Sequence, residues 1–199
     1  MGTNTGERIG ILGGTFDPPH LGHLIVADQV LRALDLDRVL LVPANEPWQK
    51  VGIRAITAAE KRLTMTRDAV GDADGLAVSD IELRLGGPSY TSVTLDALAE
   101  KHPKTEWRII VGADAAAGLD TWHNVEKLKT QADIVVVNRP GADFQPPTGW
   151  SWELVEIPAV NISGTGLRRR VSQNRSIRFL TPNPVIEHIE SWGLYRGGP

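Results

Sequence analysis

Apolar residues fall into short, almost continuous runs along the chain, with longer stretches of mixed polarity between them. Consecutive apolar positions are typical of strands that are covered on both faces, as in a parallel sheet. Six strands are predicted in this way, at residues 8–12, 39–43, 76–81, 107–111, 133–138 and 152–157. A sheet built from these strands would be buried on both sides.

The stretches between these runs carry helical spacing or helix-start signals. Four apolar residues share one side of a helix predicted at 20–34, namely Leu24, Ala27, Leu31 and Leu34. Further helices are predicted at 57–70, at 92–101, after 112–114, at 125–131, after Ser163, and from Pro184 to Gly193. The sequence TAAE at 57–60 has the form of a capping box, Pro184 suits a first helical turn and Gly193 suits a helix end.

Strands that alternate with helices predict an α/β fold with a doubly wound, mainly parallel sheet and right-handed crossovers. We expect a single domain over residues 1–199, with a flexible start at 1–7 and a small helical C-terminal part at 163–199. In such sheets the ligand lies beyond the carboxyl ends of the strands, where the strand order reverses. Two loops compete for that place, at 13–23 and 112–114, and they face each other if the first and fourth strands are neighbours.

Composition narrows the class of protein. With 199 residues, 41% of them hydrophobic and 23% charged, the chain is long enough for a sizeable core and ordinary for a globular protein. Its net charge of −3 argues against non-specific nucleic-acid binding. The absence of cysteine excludes disulfides and thiolate metal sites. No apolar run approaches the roughly 18 residues of a membrane span, and the N-terminus does not resemble a secretory signal, so we expect a cytoplasmic protein.

The most informative segment is GGTFDPPHLGH at 13–23, which joins the first predicted strand to the first predicted helix. Glycines let the backbone approach an anion closely, and the unpaired N–H groups at a helix start favour negative charge. His20 and His23 are three residues apart and would point from one face of the first helical turn. This combination of donors predicts a site that handles phosphate.

Other phosphate- or metal-binding motifs do not fit this chain. A dinucleotide-binding fingerprint would need G-x-G-x-x-G after the first strand and an acidic residue at the end of the second, and both are missing. A Walker-type loop would need Gly-Lys-Ser/Thr after a glycine turn, which is also missing. A zinc protease would carry His-Glu-x-x-His, whereas His20 and His23 have neither that spacing nor a Glu between them.

The segment 13–23 resembles the G-G-T-F-D-P-x-H-x-G-H signature of the nucleotidyltransferase superfamily, whose mark is the H-x-G-H motif. Within it the chain is similar to bacterial nicotinate-nucleotide adenylyltransferases. Further matching segments follow in the family's order: Pro43 to Lys50, GPSYT at 87–91, Gly112 and Asp114 with Trp122, RPG at 139–141, ISGTGLR at 162–168, and the C-terminal stretch from Pro184 to Tyr195. The resemblance implies the Rossmann-like fold of these transferases.

The implied reaction is adenylyl transfer from ATP to nicotinate mononucleotide, giving deamido-NAD and pyrophosphate in NAD biosynthesis. Magnesium is expected to arrive through the ATP phosphates and waters, so no metal-binding residue is assigned. Two alternatives stay open: another acceptor, such as nicotinamide mononucleotide or phosphopantetheine, and a nucleotide sensor without turnover. Binding of nucleic acid or membranes is not expected, and the oligomeric state is left open.

The resemblance also implies a role for individual residues. Catalytic roles would belong to His20, His23, Lys50 and Arg168. ATP would be bound by Gly13, Gly14, Thr15, Phe16, Gly112, Asp114, Arg139, Ser163 and Thr165. Nicotinate mononucleotide would be bound by Tyr90, Thr91 and Trp122. Taken singly, some of these residues have plainer explanations, since Ser163 or Thr165 could simply cap a helix and Lys50 could be a solvated lysine.

The chain departs from the family pattern at three places. Trp48-Gln49 stands where Pro-His often precedes the lysine, Gly164 replaces a usual serine, and His123 follows Trp122 where another aromatic residue is common. These differences suggest altered affinity or a more mobile site, and not a loss of activity.

Overall fold

The computed structural model describes residues 6–47, 55–138 and 148–197. Within them, six strands form one parallel sheet in the order β3-β2-β1-β4-β5-β6. The strands are β1 (Arg8–Gly14), β2 (Arg38–Pro43), β3 (Leu76–Val78), β4 (Glu106–Gly112), β5 (Ala132–Asn138) and β6 (Trp152–Glu156). The predicted doubly wound α/β fold is therefore confirmed.

Helices flank this sheet and follow the predicted order along the chain. They are α1 (Leu21–Ala33), α2 (Ala59–Val70), α3 (Ile81–Leu85), α4 (Thr91–Lys101), α5 (Ala113–Ala116), α6 (Val125–Gln131), α7 (Gly164–Ser172) and α8 (Asn183–Ser191), with a 3₁₀ turn at Leu119–Thr121. No helix in the described ranges combines the length and apolarity that crossing a membrane would require.

Each face of the sheet has its own hydrophobic core. Alternate residues of β4 belong to different clusters: Ile109 packs with Leu95 and Leu98 of α4, whereas Ile110 packs with Val30 of α1. All five are buried. This two-sided burial is the physical reason for the continuous apolar runs in the sequence.

The C-terminal helices form a third cluster away from the sheet. Leu167 of α7 and Ile189 of α8 pack against Met65 and Ala69 of α2. The helical part after residue 163 is thus attached to α2, which in turn follows the second strand. Its position brings the start of α7 close to the loop after β1, as described below.

Two local predictions were wrong. The strand predicted at 76–81 ends at Val78, and Ile81 begins α3, with its N–H donating to Ser79 Oγ at 3.3 Å. Thr57 does not cap α2, whose N-cap is Ala58. Thr57 is engaged elsewhere, because its carbonyl accepts from Arg62 Nε at 2.7 Å and its hydroxyl donates to the Tyr195 hydroxyl at 3.3 Å.

Candidate active site

The strand order reverses at β1, which lies between β2 and β4. As expected for neighbouring first and fourth strands, the loops after β1 and β4 border the same cleft, which has a volume of about 790 Å³. Ten of the predicted site residues line it: Gly13, Gly14, Thr15, His20, His23, Tyr90, Thr91, Gly112, Asp114 and Trp122. The cleft lies at the carboxyl ends of the strands, where this class of fold binds ligands.

The two histidines of the motif form a stacked pair at the start of α1. Their ring centroids are 3.7 Å apart and their planes differ by 19°. The backbone N–H of His20 donates to Nδ1 of His23 at 3.2 Å. Neutral His23 therefore carries its proton on Nε2, which makes that nitrogen the donor of the ring.

His20 is buried, with 6% of its surface exposed. Its Nδ1 is also buried and has no hydrogen-bond partner within the described chain. Burial disfavours the charged imidazole and lowers the pKa of His20 from 6.5 to about 4. A buried polar atom without a partner beside a cleft indicates a group that is prepared to meet a ligand.

Two neighbours hold the histidine pair in place. Phe16 is almost fully buried and contacts the His23 ring edge-on, with centroids 4.7 Å apart. Gly22 lies so close to the His20 ring that an added Cβ would come within 3.0 Å of Nδ1 and 3.1 Å of Cε1. The glycine between the two histidines therefore leaves room for the His20 ring, which an added Cβ would press against. The side chain of Phe16 belongs to the core and does not line the cleft.

The N-terminus of α7 lies against the loop after β1. Ser163 is the N-cap, and its hydroxyl accepts from the N–H of Gly166 at 3.1 Å. Arg168 donates through Nη2 to Thr165 Oγ1 at 3.0 Å and through Nη1 to the carbonyl of Asp17 at 2.7 Å. Ser163, Thr165 and Arg168 are not among the residues that line the cleft, but Arg168 connects their helix to the loop after β1.

Close packing explains the glycine at position 164, which the sequence alone did not explain. A Cβ at this position would approach the Asp17 carbonyl oxygen to 3.1 Å and Arg168 Nη1 to 3.2 Å. The glycine therefore makes room for the hydrogen bond between Arg168 and Asp17. The serine that is usual in the family would add a side chain at the point where α7 lies close to the loop.

A second helix N-terminus faces the cleft from the other side. Tyr90 is the N-cap of α4 and Thr91 its first residue, so the first N–H groups of the helix lack intrahelical acceptors. His123 stacks on Tyr90 with centroids 4.5 Å apart and contacts Ser92 Oγ through Nδ1 at 3.1 Å. Together with Trp122, these rings form an aromatic wall, so His123 takes the place of the more usual aromatic residue.

The loop after β4 presents Gly112 and Asp114. Gly112 is the N-cap of α5, so Asp114 does not cap this helix. Asp114 lies in the first turn of α5 and is exposed towards the cleft.

The sequence analysis did not identify Arg62, whose buried side chain holds loops beside the cleft. Arg62 is buried, with 1% of its surface exposed, and its Nη1 donates to the carbonyl of Thr15 at 2.8 Å. Its Nη2 donates to the carbonyl of Asn45 at 3.0 Å, and its Nε to that of Thr57. One guanidinium therefore binds three carbonyls in two loops beside the cleft: the loop after β1 and both ends of the connection from β2 to α2. The helix face that carries Arg62 also carries the buried residues Leu63 and Met65. A charged residue on such a face is the signal that could have identified Arg62.

Glu82 is a second residue that the sequence did not single out. Its side chain is buried, lines the cleft and accepts from Thr94 Oγ1 at 2.7 Å through Oε1. Its Oε2 has no partner among the described residues. Burial raises the pKa of Glu82.

Two predicted site residues, Lys50 and Arg139, lie outside the described residues, as do Trp48 and Gln49. The expectations attached to them therefore stay predictions. The expected flexible start overlaps residues 1–5, which are also outside the described ranges.

Comparison with known proteins agrees with this geometry. The family model of the cytidylyltransferase-like proteins matches residues 11–170. A protein named "Probable nicotinate-nucleotide adenylyltransferase" from Roseiflexus sp. is 46% identical over 196 residues, which cover 94% of this chain and 98% of the relative. Its namesake from Exiguobacterium sibiricum is 42% identical over 188 residues, covering 94% and 98%. The chain belongs to the nicotinate-nucleotide adenylyltransferase family.

Solved structures support the fold of this family member. The nicotinic acid mononucleotide adenylyltransferase of Plasmodium falciparum, complexed with NaAD, superimposes with a TM-score of 0.78 at 20% identity. The match covers 96% of this chain and 98% of that structure. This likeness shows the Rossmann-like fold of the chain.

Proposed function

We propose that this protein transfers the adenylyl group of ATP to nicotinate mononucleotide, producing deamido-NAD and pyrophosphate. The observation that carries the proposal is one cleft lined both by the H-x-G-H histidines and by the aromatic wall at the start of α4. The first feature suits phosphates and the second suits a flat heterocycle. Relatives with identity above 40% over nearly the whole chain carry this activity in their names.

The chemistry requires no nucleophilic side chain. An oxygen of the 5′-phosphate of nicotinate mononucleotide attacks the α-phosphorus of ATP, and the bond between the α-phosphorus and the bridging oxygen breaks. The electron pair leaves with pyrophosphate. Catalysis then depends on alignment and on donors that meet the developing charge. Nε2 of His23 and the imidazole of His20 are suitable donors, because both are preorganised in a stacked pair.

The leaving pyrophosphate would be held at the start of α7. Ser163 and Thr165 contribute hydroxyls there, and Arg168 contributes a planar, permanently charged guanidinium. The unpaired N–H groups of the helix start add to the positive potential. The cap and the anion site share one geometry, so Ser163 can serve both. Lys50 would add a point charge, and Arg139 would lie near the adenine and ribose.

The pyridine ring would be bound on the opposite side of the cleft. Trp122 offers a face for stacking. The N–H groups at Tyr90 and Thr91 would receive the pyridine carboxylate, and a carboxylate is a better partner for such donors than an amide. Backbone groups of Gly13, Gly14, Thr15 and Phe16, together with Gly112 and Asp114, would contact the nucleotides.

Magnesium would reach the site with the ATP phosphates. No cluster of three or more His, Asp or Glu side chains suited to a metal ion occurs in the described part of the chain. The ion would be held mainly by phosphate oxygens and water, as is common for magnesium. The bound ion would neutralise phosphate charge. We also propose one domain over the whole chain and a cytoplasmic location.

The test is pyrophosphate release with ATP and magnesium, comparing nicotinate mononucleotide with nicotinamide mononucleotide and with no acceptor. We expect release mainly with the acid. Equal or faster release with the amide would contradict the assigned acceptor while keeping an adenylyltransferase. No release with either mononucleotide would contradict the proposed reaction and favour a nucleotide sensor, which ATP binding without turnover would then reveal.

A further inference from the structure

We propose that Tyr195, near the C-terminus, is a positioning residue for the ATP-phosphate side of the site. It acts through Asp17, which precedes the histidine pair in the loop after β1. The inference rests on the proposed function, because it concerns the grip on ATP. Nothing in the H-x-G-H motif points to a residue this far along the chain.

The contact joins two residues that are 178 positions apart. The hydroxyl of Tyr195 donates to Asp17 Oδ1 at 2.6 Å and accepts from Thr57 Oγ1 at 3.3 Å. The backbone N–H of Thr57 also points to the other carboxylate oxygen, Oδ2, at 3.5 Å. Asp17 is buried, with 4% of its surface exposed. A buried carboxylate is costly unless donors surround it, and Tyr195 is one of these donors.

Tyr195 adopts a backbone conformation that a tyrosine rarely takes, with φ at 61°. Such a conformation persists only where the surroundings hold it, and it is often found next to functional sites. Burial and the nearby charge of Asp17 raise the pKa of Tyr195 above its ordinary range. The hydroxyl therefore stays protonated and remains a donor.

Asp17 in turn contacts Arg168, which the proposed function assigns to the phosphates. Arg168 Nη1 donates to the main-chain carbonyl of Asp17, while the carboxylate of the same residue receives Tyr195. Without the hydroxyl, the buried carboxylate would lose a close donor, and its burial would become more costly. The loop would then shift at Asp17 and move the carbonyl that holds Arg168, so Arg168 would be displaced relative to the phosphates.

The same C-terminal part holds the loop at two further points. Thr181 Oγ1 donates to the carbonyl of Pro19 at 2.8 Å, and Leu21 N–H donates to the carbonyl of Leu180 at 3.0 Å. Thr181 is buried. The C-terminal part therefore holds the loop after β1 at Pro19 and at Leu21, in addition to Asp17.

The experiment is a steady-state comparison of wild-type protein with Tyr195→Phe, which removes one oxygen atom. We expect KM for ATP to rise about tenfold, the factor that 1.4 kcal/mol represents, while KM for nicotinate mononucleotide changes less than twofold. Thr181→Val should shift KM for ATP in the same direction. Trp192→Phe is the matched control, because Trp192 lies in the same segment but stacks on His188, and both KM values should stay unchanged.

A rescue variant distinguishes the positioning role of Tyr195 from a purely structural role. Asp17→Asn placed in the Tyr195→Phe background removes the buried charge that needs the tyrosine donor, so the loop should return towards its place and KM for ATP should recover part of its loss. An unchanged KM for ATP in Tyr195→Phe, an equal rise in both KM values, or no recovery in the double variant would overturn the proposal.

If the wild-type protein shows no turnover, the proposed function fails but this inference is still testable. The dissociation constant of ATP can be measured by calorimetry for wild type and Tyr195→Phe. Tenfold weaker binding would support the role of Tyr195, and equal binding would overturn it.

Discussion

His20 and His23 are stacked on each other at the entrance of α1, with the backbone N–H of His20 donating to Nδ1 of His23. This arrangement fixes the orientation of both imidazole rings, and with it the directions of their hydrogen bonds. One ring is buried with an unpartnered Nδ1, and the other is held in a single tautomer with Nε2 as its donor. Gly22 and the two histidines can each be tested separately, and Ser163 tests the anion site at the start of α7.

Replacing His23 should separate its structural contact from its chemical one. In His23→Asn, the side-chain oxygen can accept from His20 N–H in place of Nδ1, but the Nε2 donor is lost. We expect the melting temperature to stay near that of the wild type and turnover to fall about a hundredfold or more, as for the loss of a transition-state donor. Pyrophosphate release and thermal unfolding measure the two effects.

The control for this variant is His102→Asn, at an exposed position whose ring contacts Trp107 outside the cleft. It should retain wild-type turnover. Full activity in His23→Asn would exclude the phosphate role of this histidine.

Gly22→Ala tests whether the His20 ring needs the space beside it. An added methyl group would lie 3.0 Å from Nδ1, closer than normal packing allows, so the ring must move. We expect a loss of about 1–3 kcal/mol in the free energy of unfolding, typical of overpacking, and a fall in turnover. Gly197→Ala, where a Cβ meets no atom within 4 Å, is the matched control. Wild-type turnover in Gly22→Ala would show that the position of the His20 ring does not matter.

The lowered pKa of His20 predicts a pH dependence of stability. Above about pH 6.5 the residue is neutral in both the folded and the unfolded chain. Between pH 6.5 and about 4 the unfolded chain takes up a proton that the folded protein does not. The free energy of unfolding therefore falls as the pH falls through this window, by as much as ~3 kcal/mol.

Urea unfolding of wild type and His20→Asn at pH 7 and pH 4 measures this contribution. The variant lacks the titrating ring, so its loss of stability on acidification should be smaller than that of the wild type. The same loss in both proteins would contradict the assignment.

Ser163 allows the cap and the anion site to be distinguished. Ser163→Ala removes the acceptor for Gly166 N–H and should cost about 1 kcal/mol of stability. Ser163→Asp keeps an N-cap acceptor and places a negative charge at the helix start, so stability should be maintained. The same charge repels phosphate, and KM for ATP should rise about tenfold or more. A Ser163→Asp protein with wild-type KM for ATP would leave Ser163 with a capping role alone.

Much of the architecture is visible in the sequence because its signals are local. Continuous apolar runs occur where a strand is covered on both faces, and Ile109 and Ile110 show why neighbouring residues are both buried. The motif at 13–23 likewise indicates a phosphate site through its residue types and their spacing. Helix ends were predicted less well: Ile81 begins a five-residue helix, and such short elements depend on their surroundings more than on propensity.

The tertiary structure decided which distant residues support that chemistry. Arg62 binds three carbonyls in two loops, and Tyr195 contacts Asp17 across 178 positions. Neither contact has a periodicity or spacing that the chain could display, because each joins segments that only the folded chain brings together. The sequence by itself determined the strands, the phosphate loop and the family. The order of the strands, the burial of His20 and the attachment of the loop to the C-terminal part follow from packing, because long-range hydrogen bonds form only where folding brings their partners together.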